Sequence, residues 1–285
     1  MINTLVIGGG GYYGLITLGI LKELQKQSFL NLKEIKTIYG TSIGSLIGVL
    51  CCIDIDMDTI IEYFVSRPWK NSIRISSDTL INLYSKRGLC NANLFKVILK
   101  NVFYSKNLEL TITLKELYEY SKKELYIYSI QLEDFNLVEL SYKTHPDLKV
   151  IDAITMSCAI PYVFEPVKYR NNHYIDGGLL CNYPINRAHN ENKDEILGIQ
   201  IIKTNINTID NLNLFEFAYF LHCQLCKNQR ENQEGDIKHQ ITIDCESMTV
   251  DDSFHVFFKK EIREKFILIG YEKATDFLKN IKSNN

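Results

Sequence analysis

The amino-acid sequence predicts an α/β fold with a mostly parallel central sheet flanked by helices. Two strand, glycine-turn, helix units follow one another before Cys52, and a later apolar run, Ile196 to Ile202, has the character of a buried strand. Parallel neighbours need helical crossovers, which the segments between these strands supply.

The first strand is expected at Leu5 to Ile7. A glycine turn follows, then a helix from about Gly14 to Gln27 whose Leu15, Ile16, Leu18, Ile20, Leu21 and Leu24 form a core face. A second strand, Ile35 to Tyr39, leads through Gly40 to Gly44 into an apolar helix ending near Cys52. Asp58 to Val65 reads as a helix stopped near Pro68, and the chain turns irregular through Trp69, Arg74 and Ser76 to Leu89. Asn93 to Phe103 is amphipathic, with Leu94, Phe95, Ile98, Leu99, Val102 and Phe103 on one face and Lys96, Lys100 and Asn101 on the other. Such a helix either packs on the sheet, as in most soluble domains, or serves as a membrane-facing lid.

Glu124 to Gln131 and Leu137 to Tyr142 read as a hairpin about an Asp134 to Asn136 turn. A helix from about Lys149 ends at Ser157 and Cys158, before Pro161, and a short strand at Tyr174 and Ile175 runs into Asp176-Gly177-Gly178. Helices are expected over Phe215 to Arg230 and Lys259 to Ile281.

At 285 residues, 46% apolar and 23% charged, the chain can bury a large core, which excludes disorder and a disulfide mini-scaffold. With no repeat or compositional break it reads as one domain over 1–285, with a motif-bearing core at about 4–190 and a helical C-terminal part at about 211–285. A net charge of −2 removes any bulk electrostatic case for nucleic acid or an anionic membrane surface. The eight cysteines are scattered through apolar segments, as buried thiols in a reducing compartment are. Cys223 and Cys226 form a lone CxxC beside His222 without a second pair at zinc-finger spacing, so FEFAYFLHCQLC reads as a buried helix.

The longest apolar stretch, Ile43 to Ile53, is broken by Gly44, Ser45 and Gly48 and is too short to span a bilayer. The N-terminus lacks the basic region of a signal peptide, so the expected location is cytoplasmic or peripheral to membranes. Asp54, Asp56 and Asp58 begin like a calcium loop, but Thr59 stands where the turn glycine belongs and Val65 at the twelfth position, so helix capping is the better reading. Asp251-Asp252 reads as a solvated turn.

Five of the fifteen glycines fall between Gly8 and Gly14, at the turn between strand and helix. Gly9, Gly11 and Gly14 satisfy G-x-G-x-x-G, which fits either a dinucleotide pyrophosphate or an oxyanion hole of converging N–H groups. A dinucleotide site needs an acid at the end of the next strand, yet that strand ends Thr37-Ile38-Tyr39-Gly40, and Glu34 lies at its start. In that place stands Gly40-Thr41-Ser42-Ile43-Gly44, a G-x-S-x-G between strand and apolar helix, which exposes Ser42 on a sharp turn. None of the six histidines, His145, His173, His189, His222, His239 and His255, lies in a recognisable motif. His173 is an odd number of residues from Asp176 and so faces away from it on a shared strand. Asp176, before Gly177 and Gly178, is the remaining partner for Ser42.

With these three motifs the chain resembles the patatin-like phospholipases. Ser157 to Val167 is similar to the family's A-S-x-A-x-P-x-x-F-x-P-V stretch, Asn182-Tyr183-Pro184 to its N-x-P, and Thr113 to Tyr118 to its connector before the middle strands. The resemblance implies a three-layer fold and a serine acyl hydrolase. Ser42 would be nucleophile and Asp176 base, with the oxyanion on N–H groups of Gly9, Gly10 and Gly11; Gly14, Gly40, Gly44, Gly177 and Gly178 complete the motifs. It further implies no cofactor and no metal, a lipid ester met at a membrane or micelle surface through peripheral contact, and room for an activating protein partner. One departure stands out: Tyr13 occupies the place where the family usually has Arg or Lys, which bears on loop stability and on preference for phospholipid head groups. Two alternatives stay open, a lipid-binding pseudoenzyme suggested by Tyr13 and a dinucleotide-binding oxidoreductase suggested by the glycines.

Overall fold

A computed structural model of the chain describes residues 1–69, 85–204, 212, 217, 220–226, 237–246, 256 and 258–283. The chain opens with β1 (Thr4–Ile7), a 3-10 turn at Gly11–Tyr13, α1 (Gly14–Lys26), β2 (Thr37–Thr41), α2 (Ile43–Cys52) and α3 (Met57–Ser66). The middle holds β3 (Gly88–Cys90), α4 (Asn93–Tyr104), α5 (Leu114–Ser121), β4 (Glu124–Gln131), β5 (Asn136–Leu140) and α6 (Val150–Ser157). Next come β6 (Tyr162–Phe164), β7 (Val167–Tyr169), β8 (Asn172–Asp176), the short α7 (Gly178–Cys181) and a 3-10 turn at Pro184–Ala188. Last are β9 (Ile196–Thr204), β10 (His239–Glu246) and α8 (Lys260–Ser283).

The main sheet has the order β10-β9-β1-β2-β4-β8-β7, with β5 also paired to β4. From β10 to β4 every pairing is parallel, whereas β8 runs antiparallel to β4 and β7 antiparallel to β8. Alternation along the strands sorts the two faces. Leu5, Ile7, Ile38, Leu125, Ile127, Leu197 and Ile199 join the large core under the helices, while Val6, Tyr39, Tyr126, Tyr128 and Ile196 face a smaller cluster closed by Tyr183, Ile185 and Ala188. Strands β1, β2 and β4 are parallel neighbours, so their C-terminal ends lie together, which is where ligands gather in open α/β sheets.

Several local expectations shift for physical reasons. The second strand extends through Thr41, so the turn before α2 contracts to Ser42 alone. The amphipathic helix α4 packs inward: Phe95, Ile98, Leu99, Val102 and Phe103 are buried, and Phe95 stacks on Phe164 at 5.5 Å. Asp56 caps α3 by accepting the Thr59 N–H at 3.0 Å. The capping box of Thr113 and Glu116 starts α5.

The stretch expected to be helical from 211 onward contains β10. Its β-branched Ile241-Thr242-Ile243 alternates apolar and polar, and Ile241 and Ile243 sit in register with Ile199 and Ile201 of β9, so local pattern and pairing both favour a strand there. The FEFAYFLHCQLC segment is helical over 220–226 but not fully buried, since Leu221 and Leu225 are 44% and 53% exposed. Most of the irregular stretch around Arg74 and Ser76, and the Asp251-Asp252 pair, lie outside the described residues. Cys51, Cys52, Cys90, Cys158, Cys181, Cys223 and Cys226 are free thiols.

Candidate active site

Strand β2 delivers the chain to Thr41, whose hydroxyl donates to the Cys181 carbonyl at 2.8 Å and ties this strand end to α7. Ser42 then takes φ 54° and ψ −126°. For a residue with a Cβ, that conformation costs about 1–3 kcal/mol and persists only where neighbours over-determine it. They do so here. The Ser42 N–H donates to Ser157 Oγ at 2.8 Å, and Ser157 Oγ in turn donates to the Tyr128 carbonyl at 2.6 Å. The Ser42 carbonyl accepts from the Ser45 N–H at 2.8 Å and from Ser45 Oγ at 2.6 Å. Gly44 is required sterically, because a methyl group there would overlap the Ile7 carbonyl oxygen.

Asp176 ends β8. Its N–H donates to the Ala159 carbonyl at 2.9 Å. Its Oδ1 accepts the Gly178 N–H at 2.6 Å and its Oδ2 accepts Ser42 Oγ at 2.7 Å. Ser42 is 5% and Asp176 1% exposed, so the serine is buried rather than exposed as expected of the sharp turn, and away from water its charge-assisted hydrogen bond to Asp176 is stronger. Burial pushes the Cys158 thiol far above its ordinary value and the Asp176 carboxylate adds to the shift, while hydrogen bonds with Ser45 and Ser42 oppose it. Cys158 therefore sits beside the pair as a neutral thiol.

The glycine loop lies across from Ser42. A methyl group on Gly9 would come within 3.2 Å of Ser42 Cβ and overlap Asn182 Oδ1, so only glycine permits this approach. The N–H groups of the loop differ in their partners. Gly8 donates to the Ile199 carbonyl at 3.0 Å and Gly9 to the Asn182 carbonyl at 2.8 Å. Gly9 is thus committed to holding the loop, whereas Gly10 and Gly11 donate to no backbone carbonyl among the described residues. Gly11 has φ 58°, a conformation glycine adopts without strain. Asn182 Nδ2 returns a long contact to the Gly9 carbonyl at 3.4 Å.

The described histidines have other partners. His173 pairs with Glu133 at 2.9 Å, His145 contacts Thr144, His189 the Asn186 carbonyl, and His239 packs against Phe29 and Phe277. His222 contacts Cys226 Sγ at 3.6 Å, and a methyl on Gly178 would come within 3.3 Å of that sulfur.

Gly14 packs on Ile43, Gly40 faces the Gly44 backbone, and Gly177 lies on the Tyr128 carbonyl. All the singled-out motif residues therefore converge on one neighbourhood. Sequence reasoning did not assign positions to Thr41, Ser157 and Asn182 in this network. The N-x-P and A-S-x-A-x-P resemblances touch Asn182 and Ser157, but their roles run through backbone atoms that no residue spacing reveals.

A serine hydroxyl donating to a buried carboxylate beside a glycine-only loop is an arrangement suited to acyl transfer. It places the chain among α/β proteins that carry a serine on a strained strand-to-helix turn. The chain belongs to the patatin-like phospholipase family, whose model matches residues 5–189. It is 33% identical over 190 residues to the protein named "Probable lipid hydrolase 463L" of Invertebrate iridescent virus 6, covering 65% of this chain and 63% of that one. It is 28% identical over 206 residues to an uncharacterized protein of Acanthamoeba polyphaga mimivirus, covering 72% and 67% of the two chains. In structure it is similar to VipD from Legionella pneumophila, with a TM-score of 0.58 at 16% identity over 98% of this chain and 67% of that one. This last likeness is one of fold.

Proposed function

We propose that the protein is a serine acyl hydrolase that cleaves fatty acyl esters of phospholipids or related lipids. The observation that carries the reading is the buried 2.7 Å hydrogen bond from Ser42 Oγ to Asp176 Oδ2, made on a strained turn. In the proposed reaction Asp176 takes the Ser42 proton as Oγ attacks the ester carbonyl carbon. The tetrahedral oxyanion is held by the N–H groups of Gly10 and Gly11, and its collapse breaks the ester C–O bond as Asp176 returns the proton to the leaving alcohol. Water, deprotonated by Asp176, then attacks the acyl carbonyl carbon, and collapse of this second intermediate breaks the acyl C–Oγ bond as Asp176 returns the proton to Ser42 Oγ, releasing the fatty acid. The Gly178 N–H on Oδ1 keeps Oδ2 turned toward the nucleophile throughout.

Family membership and a relative named as a lipid hydrolase support a lipid as substrate. Among the described residues no helix is long and apolar enough to cross a membrane, so contact with a lipid aggregate is proposed to be peripheral. The dinucleotide reading loses ground, because the Gly9 N–H is engaged by the Asn182 carbonyl and the Ser42 side chain crowds Gly9.

The test is a lipid profile. Purified protein incubated with a mixed phospholipid extract should release free fatty acids and lysolipids, and Ser42→Ala should release neither. A folded wild-type protein that leaves the extract unchanged would reject the proposal in favour of lipid binding without hydrolysis.

A further inference from the structure

The loop that carries Gly10 and Gly11 has no side chain of its own from Gly8 to Gly11. An all-glycine segment has the largest conformational freedom to lose, so its shape must be imposed from both ends. One end is pinned by the Gly8 and Gly9 N–H bonds to Ile199 and Asn182. The other end is Tyr12 and Tyr13, with Tyr13 N–H reaching back to the Gly10 carbonyl at 3.3 Å.

Tyr13, which stands where the resemblance leads one to expect a cation, is only 3% exposed. Its ring lies 4.4 Å from that of Tyr12 and 5.3 Å from that of Phe266, and Tyr12 stacks on Phe266 at 6.2 Å with an interplanar angle of 17°. Phe266 belongs to α8, beyond the residues matched by the family model. That helix is rigidly placed. Gly19 of α1 and Gly270 of α8 meet so closely that a methyl on either would overlap the other helix's backbone. Arg263, 5% exposed, donates to the Val65 carbonyl at 3.0 and 2.8 Å and to the Val256 carbonyl at 2.7 Å.

We infer that Phe266 is a positioning residue, which sets the oxyanion donors by clamping Tyr12 and Tyr13 against the C-terminal helix. This role rests on the acyl-hydrolase reading for its catalytic consequence, but not for its structural one.

The experiment compares full-length wild type with Phe266→Ala, Phe266→Leu, Phe266→Tyr and a control on the same helix, Phe277→Ala, which removes a ring packed on Phe29 at 5.5 Å away from the loop. Three quantities are read: kcat and KM on a short-chain aryl ester, inhibition by a medium-chain trifluoromethyl ketone, and backbone hydrogen exchange over the glycine loop. Misaligned oxyanion donors lower kcat by about tenfold or more, leave KM within about threefold, and weaken the ketone, which forms a tetrahedral oxyanion, in step with kcat. Loop exchange speeds up in Phe266→Ala and Phe266→Leu, stays slow in Phe266→Tyr, and is unchanged in Phe277→Ala. If Phe266→Ala fails to fold, Phe266→Leu decides by the same criteria. Unaltered loop exchange, a kcat within about threefold of wild type, or equal losses in Phe277→Ala would overturn the inference. A wild type without esterase activity whose loop exchange still depends on Phe266 would leave the clamp standing and reject the hydrolase proposal instead.

Discussion

Ser157→Ala is the substitution whose effect follows most directly from the geometry, since it removes one hydroxyl that bonds to backbone atoms of Ser42 and Tyr128. Ser157 is fully buried, accepts the Ser42 N–H at 2.8 Å and donates to the Tyr128 carbonyl at 2.6 Å. Alanine leaves the Ser42 N–H buried without that acceptor, a loss of about 1–3 kcal/mol. For a chain of this size the midpoint should fall by roughly 2–9 °C, taking about 2–3 °C per kcal/mol. The larger consequence is catalytic. Ser42 is held at φ 54° partly by this bond, and relaxation of the turn swings Oγ off its 2.7 Å line to Asp176. A displacement near 1 Å costs about 10²-fold in rate, so kcat should drop by about that factor with KM little changed. Steady-state kinetics on a soluble aryl ester, paired with thermal unfolding, read both numbers. A folded Ser157→Ala protein with kcat within about threefold of wild type would show that the turn does not need this bond, and the reasoning would fail.

Three further outcomes are expected. Tyr13→Arg, which places the more usual cation in the loop, should unfold at lower temperature by several degrees and gain no activity on anionic phospholipids, because position 13 is buried against Phe266 rather than open to a head group; a stable variant with raised activity would contradict this. Gly44→Ala should yield insoluble or unfolded protein, since the added methyl overlaps the Ile7 carbonyl, and recovery of soluble, active protein would refute that contact. In the Glu124 cluster burial opposes ionisation, but hydrogen bonds from Lys143 at 2.8 Å, Tyr126 at 2.5 Å and Tyr142 at 3.0 Å outweigh it and hold the carboxyl below its ordinary value. A lowered folded-state value gives stability that is present above the unfolded value of about 4.3 and lost as pH falls through the folded one. Glu124→Gln should therefore be less stable at neutral pH and show a shallower acid limb, as read by unfolding midpoints from pH 7 down to 2; parallel acid limbs would rule this out.

Much of the fold was legible because it rests on local pattern. The buried strand at 124–131 and the apolar helix after Ser42 declare themselves through periodicity and flanking glycines, and the strand-to-helix context made Ser42 conspicuous. What stayed hidden depends on pairing or packing between distant segments. Strand β10 is fixed by its register with β9, although Ile241, Ile243 and Cys245 also alternate with polar residues, whereas the β3 and β6 pair spans only three residues each and leaves little signal of its own. The same holds in the site. Ser42 and Asp176 stood out as residue types in motifs, whereas Ser157 and Asn182 act through backbone atoms of Ser42 and Gly9, and the partner of Tyr13 lies on a helix far along the chain. The glycines of the loop look alike in sequence, and the bond to the Asn182 carbonyl that sets Gly9 apart is visible only in the fold.

The central claim is that Ser42 is a nucleophile activated by Asp176. Its most direct measurement is labelling by an alkyl fluorophosphonate followed by peptide mass spectrometry. Wild type should carry a single adduct on Ser42, Ser42→Ala none, and Asp176→Asn should label at least about 10²-fold more slowly while remaining folded. Labelling at another residue, or an undiminished rate in Asp176→Asn, would contradict the assignment.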